Sequence, residues 1–173
     1  MKVIFLDMDG VMNSSADWVE HEILGHPNNH GFEMINRGKI AILVALLQAT
    51  GAKIVWSSTW RHHYTLDQLH AMLEERIGPD SKHRITRDTF IGITPKLGGY
   101  EARSREVQSW LHNHGKEVTH FVILDDVDAG FTSNGYRDNF QKTDPQIGMT
   151  TLDAYHACVV LEGDEKKMPM VYL

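Results

Sequence analysis

Short apolar runs alternate with segments of helical period along this chain, and the apolar runs end abruptly on polar residues. Val3, Ile4, Phe5 and Leu6 form the first run, which stops at Asp7 as a strand buried on both faces of a parallel sheet would. Residues 13–36 are rich in Asn, His, Gly and Ser without a sustained period, which predicts a loop or small flap with room for a helical turn around 16–23. Asn36 is placed to cap a helix through Ile40, Leu43, Val44 and Leu47 that Gly51 closes. A second buried strand over 53–56 runs into Ser57, Ser58 and Thr59. Thr65 and Gln68 then have capping-box spacing ahead of a helix through Leu66, Leu69, Met72, Leu73 and Ile77, which Gly78 and Pro79 stop.

Residues 84–94 hold Ile85, Phe90, Ile91 and Ile93 without clean alternation and predict a short strand. Val107, Trp110 and Leu111 fall at helical spacing within 101–114, ahead of a strand over 118–124 that also ends on carboxylates, Asp125 and Asp126. A short strand over 140–143 and a final helix capped by Thr150, running through Leu152, Tyr155 and Val159, complete the pattern. Strands that alternate with helices imply an open parallel sheet with helices on both faces, since a parallel pairing needs a long, right-handed crossover. This Rossmann-like α/β class binds ligands at the carboxyl ends of its strands, near the switch in strand order. Those ends carry Asp7, then Ser57 and Ser58, then Asp125 and Asp126.

Composition narrows the picture. At 173 residues and 42% apolar content the chain suits one hydrophobic core, so a single domain over 1–173 is expected, with the flap at 13–36 as its insertion. The formal charge of -6 argues against nucleic-acid binding driven by a bulk basic field. The single cysteine, Cys158, can form no intramolecular disulfide and sits in an apolar run, and no stretch has signal-peptide or membrane-spanning character. A cytoplasmic protein with no membrane association and no evident protein partner is the expectation.

The string Asp7-Met8-Asp9-Gly10-Val11 carries the chemistry. A bend after the strand lets Asp7 face a phosphorus atom as nucleophile while Asp9 reaches the leaving-group oxygen as general acid and base, and Gly10 supplies the backbone freedom such a turn needs. Clustered carboxylates repel one another and any phosphate, which calls for a cation. Mg2+ suits, held by Asp7, the backbone carbonyl of Asp9, and Asp125 or Asp126. A turn or capping role would explain either acidic pair alone, and Asp-x-Asp-Gly also opens calcium loops, but no further calcium-ligand pattern follows. The combination of polar groups after three separate strands favours the catalytic reading.

The run from Phe5 to Asn13 resembles the first motif of the haloacid-dehalogenase (HAD) superfamily. Ser57 after Ile54, Val55 and Trp56 is similar to its second motif, and Asp125 with Asp126 after Val122, Ile123 and Leu124 to its acidic fourth. The resemblance spans residues 3–126. It implies Mg2+-dependent phosphatase activity through an aspartyl-phosphate, with the hydroxyl and neighbouring amides at Ser57 holding phosphoryl oxygens. The third-motif cation is left open among Arg103, which is favoured, Arg105 and Lys96, and Arg61 and Ser58 are further candidate phosphate ligands. Together with Gly92, Thr94, Pro95, Arg103, Glu106 and Trp110, the Ser57–Arg61 string is similar to small, cap-poor members linked to RNA repair.

The eleven histidines, including the pairs His62/His63 and His112/His114, do not converge as a zinc site requires, and the second pair ends an amphipathic helix rather than forming a nuclease motif. Of the four tryptophans, Trp60 alone lies beside the expected site. No glycine-rich P-loop with its Lys is present. A minimal cap implies an open site that admits a nucleotide, a phosphorylated small molecule or a nucleic-acid end. The competing expectation is a non-catalytic module that recognises a phosphorylated ligand on the same fold.

Overall fold

The computed structural model describes residues 1–25, 34–78, 84–98 and 102–163. Five parallel strands form one sheet: β1 (Lys2–Leu6), β2 (Lys53–Trp56), β3 (Phe90–Ile93), β4 (His120–Asp125) and β5 (Phe140–Lys142), in the order β3-β2-β1-β4-β5. The helices between and after them are α1 (Ser15–Ile23), α2 (Arg37–Thr50), α3 (Leu66–Ile77), α4 (Ala102–His114) and α5 (Thr151–Glu162).

Alternation along β1 divides the core. Ile4 and Leu6 point into a cluster with Leu43 of α2, Leu69 and Leu73 of α3, and Ala157 and Leu161 of α5. Val3 and Phe5 point the other way, onto Val107 and Trp110 of α4, where the Phe5 and Trp110 rings meet edge to face at 5.4 Å. Trp110 approaches this closely because Gly92 carries no side chain; a Cβ there would lie 2.9 Å from the indole nitrogen. The expected Rossmann-like parallel sheet with helices on both faces is thus what forms.

The chain departs from its expected outline in three places. The helical turn expected around 16–23 is a full nine-residue helix over 15–23, although none of its residues is buried. Polar contacts hold α1 instead of an apolar stripe. Ser14 caps its first turn, and Asp17 accepts a 2.6 Å ion pair from the buried Lys39 and a hydrogen bond from the Asn36 side chain. β4 starts at His120, because Val118 closes a single 3-10 turn and Thr119 donates its N–H to the Met1 carbonyl. In α5 the buried face is Ala154, Ala157, Cys158 and Leu161, whereas Leu152 and Tyr155 are exposed. The middle of the expected flap, residues 26–33, together with Pro79 and Glu101, lies outside the described residues.

The strand order reverses at β1, whose neighbours are β2 and β4. Backbone pairing continues one residue past each strand end there: Asp7 N–H donates to the Leu124 carbonyl at 3.0 Å, and Ser57 N–H to the Leu6 carbonyl at 2.9 Å. Ladder bonds therefore set the positions of Asp7 and Ser57, two of the candidate site residues. Among the described residues no helix is long and apolar enough to cross a membrane.

Candidate active site

Asp7 is buried at the carboxyl end of β1. One of its carboxylate oxygens accepts the Met8 N–H at 2.8 Å and the other accepts a charge-assisted hydrogen bond from Nη1 of Arg103. The same Nη1 reaches Oδ2 of Asp125 at 2.5 Å, so a single guanidinium bridges the ends of β1 and β4. Asp125 also accepts the Val127 N–H at 3.0 Å. Of the three candidates for the cation beside the nucleophile, only Arg103 reaches Asp7. Arg105 donates to the Gly98 carbonyl instead, and Lys96 is exposed.

Asp126 completes the group. Asp7, Asp125 and Asp126 each present a carboxylate oxygen within 4.8 Å of the others, the one such cluster of three or more candidate ligands among the described residues. Gly10 makes it possible. With φ at +70° it takes a conformation that costs side-chain-bearing residues energy, and a Cβ there would lie 2.5 Å from Cγ of Asp126. Its carbonyl accepts a 2.7 Å hydrogen bond from the buried Thr143 hydroxyl, which ties the turn to the end of β5. An all-oxygen set of this kind fits a hard cation such as Mg2+. The Asp9 carboxylate is not part of the cluster, which leaves its main-chain carbonyl as the Asp9 atom proposed for a metal.

Burial pushes the Asp7 carboxyl above the ordinary range despite the Arg103 guanidinium. Burial and the neighbouring Asp7 charge raise Asp125 to about 8, and burial raises Asp126. Burial works against the charge on Arg103, but Asp7 and Asp125 more than offset it and hold the guanidinium firmly protonated. The cluster thus gathers more negative charge than its single guanidinium balances.

Asp9 is exposed, and its two oxygens accept separate neutral donors: Nδ2 of Asn13 at 2.9 Å and the indole Nε1 of Trp60 at 2.9 Å. Ser58 caps the 3-10 turn Thr59–His62, accepting the Trp60 N–H at 3.3 Å, and its hydroxyl also interacts with Asp7. The Ser57 hydroxyl is buried and makes no hydrogen bond. That leaves a donor at the end of β2 without a protein partner, as a site for a phosphoryl oxygen would.

Arg61, expected to meet phosphate, is instead turned inward. It is buried in an ion pair with Glu106 of α4 and also donates to the Ser58 carbonyl, and its Nε is without a partner. The other oxygen of Glu106 accepts the Leu97 N–H at 2.9 Å. Arg61 and Glu106 thereby fasten the serine loop to the helix that carries Arg103. A cleft of roughly 460 Å³ opens beside them, lined by Thr59, His62, Leu97, Arg103, Val127 and Ala129 among others.

Of the histidines, His114 stacks on Trp110 at 4.5 Å and bonds its carbonyl, a packing role that agrees with reading the 112–114 string as a helix end. The contributions of Asn13, Thr143 and the Trp60 indole to the site went unrecognised in the sequence. Asn13 lies four residues from Asp9 and left a faint local signal, Trp60 was marked only by its place beside the expected site, and Thr143 is distant in the chain and left none.

A parallel sheet with its order reversed at β1, an Asp-x-Asp-Gly turn at that point, and a second acidic pair beside it define a HAD-like domain. Residues 3–154 match the HAD domain in Swiss Army Knife RNA repair proteins, and the chain belongs to that family. HAD domains are generally phosphatases and other hydrolases that use a divalent metal. No curated protein and no solved structure gives a significant match to the chain.

Proposed function

We propose that this protein is a Mg2+-dependent phosphomonoester hydrolase that works through an aspartyl-phosphate on Asp7 and acts on nucleotide or nucleic-acid-end phosphates. The observation that carries the reading is the buried Asp7 carboxylate at the switch in strand order, bridged by Arg103 to Asp125 and grouped with Asp126. An Asp7 oxygen attacks phosphorus and the bond to the leaving oxygen breaks, while Asp9 delivers a proton to the departing alkoxide. Water then attacks the phosphorus of the aspartyl-phosphate, Asp9 takes its proton, and the bond to Asp7 breaks to release phosphate.

Arg103 orients Asp7 and neutralises part of the charge on the transferred group, and the Ser57 hydroxyl with the adjacent amides receives phosphoryl oxygens. Asp7, the Asp9 carbonyl, and Asp125 or Asp126 would hold Mg2+, which when bound offsets the negative charge on phosphate. The substrate class is supported by the open cleft beside Arg103 and by the link of the family to RNA repair.

The test is phosphate release from an aryl phosphate and from 3'- and 5'-phosphorylated oligonucleotides, in Mg2+ or in EDTA, for the wild type and Asp7→Asn. Release that needs Mg2+ and disappears in the variant is expected. Activity retained by Asp7→Asn refutes the covalent mechanism, and a strong preference for small sugar phosphates refutes the substrate class.

A further inference from the structure

The turn after β2 grips both carboxylates of the Asp-x-Asp string. Ser58 interacts with Asp7, and Trp60, two residues on, donates its indole N–H to Asp9 across 51 positions of sequence. The backbone N–H of Trp60 in turn donates to the Ser58 hydroxyl, so the two grips belong to one rigid 3-10 turn. The indole ring packs against the core on the α2, α3 and α5 side of the sheet and lies 6.0 Å from the Tyr64 ring, which limits its swing.

The orientation of the second donor is also fixed. The Gly10 N–H donates to Oδ1 of Asn13 at 3.1 Å, which obliges the amide to present Nδ2 to Asp9. An indole N–H can only donate. Both Asp9 oxygens are therefore held by donors that cannot reverse their roles, and each oxygen keeps a lone pair for proton transfer. An exposed carboxylate would otherwise sample several rotamers.

We propose that Trp60 is a positioning residue for Asp9: its indole N–H holds the carboxyl group at the angle from which it hands a proton to the leaving oxygen. The claim rests on the hydrolase reading above and adds a residue to it. Trp60 touches neither phosphorus nor the nucleophile, so its removal matters only where the departing group needs a proton. A para-nitrophenoxide leaves readily without one, whereas the alkoxide from para-nitrobenzyl phosphate does not. The two substrates differ by one methylene, so any stacking of their rings on Trp60 is common to both.

The experiment compares kcat/KM for para-nitrophenyl and para-nitrobenzyl phosphate in wild type, Trp60→Phe and Asp7→Asn. A further variant carries benzothienylalanine at position 60, which replaces the N–H by sulfur at nearly constant shape. Both position-60 variants are expected to lose on the order of tenfold on the benzyl ester, about the value of one hydrogen bond, and less than about threefold on the phenyl ester. Equal losses on both esters would make Trp60 a substrate contact or a structural residue and overturn the proposal, as would no loss on either. Survival of activity in Asp7→Asn would instead overturn the hydrolase mechanism itself, so the two failures are distinguishable.

Discussion

Replacing Glu106 by Ala tests whether the buried framework behind the site is electrostatic. Arg61 and Glu106 side chains are each only 2% exposed, so their charges are barely screened by water. Removing the carboxylate leaves a guanidinium buried with the Ser58 carbonyl as its remaining partner, and strips the Leu97 N–H of its acceptor. Breaking a buried pair in this one-sided way costs about 3–5 kcal/mol. At about 2–4 °C per kcal/mol for a domain of this size, Tm should fall by roughly 6–20 °C. With a urea m-value of about 2 kcal/mol/M, the denaturation midpoint should fall by roughly 2 M. Removing both charges with Arg61→Met and Glu106→Leu should recover at least about 2 kcal/mol of that loss, although not all of it, because two backbone groups stay unpaired. Urea titrations of the wild type, Arg61→Met, Glu106→Leu and the double variant give the coupling directly. A loss below about 1 kcal/mol for Glu106→Ala would show that water reaches the pair and would refute the reasoning.

Gly10→Ala combines a positive φ with a methyl group driven into Asp126, so it should abolish the Mg2+-dependent rise in Tm and cost about 1–2 kcal/mol from the backbone alone; an unchanged Mg2+ response would count against the cluster. Arg103→Ala should cost at least about 100-fold in kcat/KM because Asp7 and Asp125 lose their shared cation, and Arg103→Lys should recover only part of it; full recovery by Lys would mean that charge alone matters. Thr143→Val removes the hydroxyl that holds the Gly10 carbonyl and should cost about 1–2 kcal/mol, measured by urea denaturation, with no such loss expected if water replaces the bond. Asp7 and Asp125 titrate higher in the folded than in the unfolded chain, so the native state binds the extra protons. In EDTA, stability should therefore fall as pH rises from the ordinary carboxylate range through about 8, and the rise in Tm caused by Mg2+ should be larger at about pH 9 than at about pH 6. A larger Mg2+ effect at the lower pH would refute that assignment.

The parallel sheet was legible because its central strands are apolar on both faces, and the acidic and serine residues marked where β1, β2 and β4 end. Arg103 was partly legible too. It precedes Val107 by four residues and Trp110 by seven, which puts it on the buried stripe of α4, whereas Arg105 falls on the opposite side. Glu106 lies on the same stripe, and a charged residue there asks for a buried partner, but nothing local points to Arg61. The helix α1 was legible only as a turn around 16–23, for a different reason. Its order comes from polar contacts of Ser14, Asn36, Asp17 and Lys39, while its apolar side chains Val19 and Ile23 stay exposed. The hydrogen bond from Trp60 to Asp9 exists only because β1 and β2 are neighbours, a pairing that strand content alone does not specify.

Much of what holds the acidic cluster together lies outside it, and the charge balance explains why. Asp7, Asp125 and Asp126 face a single guanidinium, so without a cation the strand ends repel one another and burial favours protonating them. Repulsion of this kind tends to splay β1 from β4. It is opposed by Arg103 between the two carboxylates, by the ladder bond from Asp7 to Leu124, and by Thr143 holding the Gly10 turn from β5. The Arg61–Glu106 pair resists the same motion from the other side by fixing α4, and with it Arg103, to the serine loop. A buried carboxylate that is to serve as the proposed nucleophile needs a frame stiffer than its own environment would permit, and here four strand ends and one helix supply it.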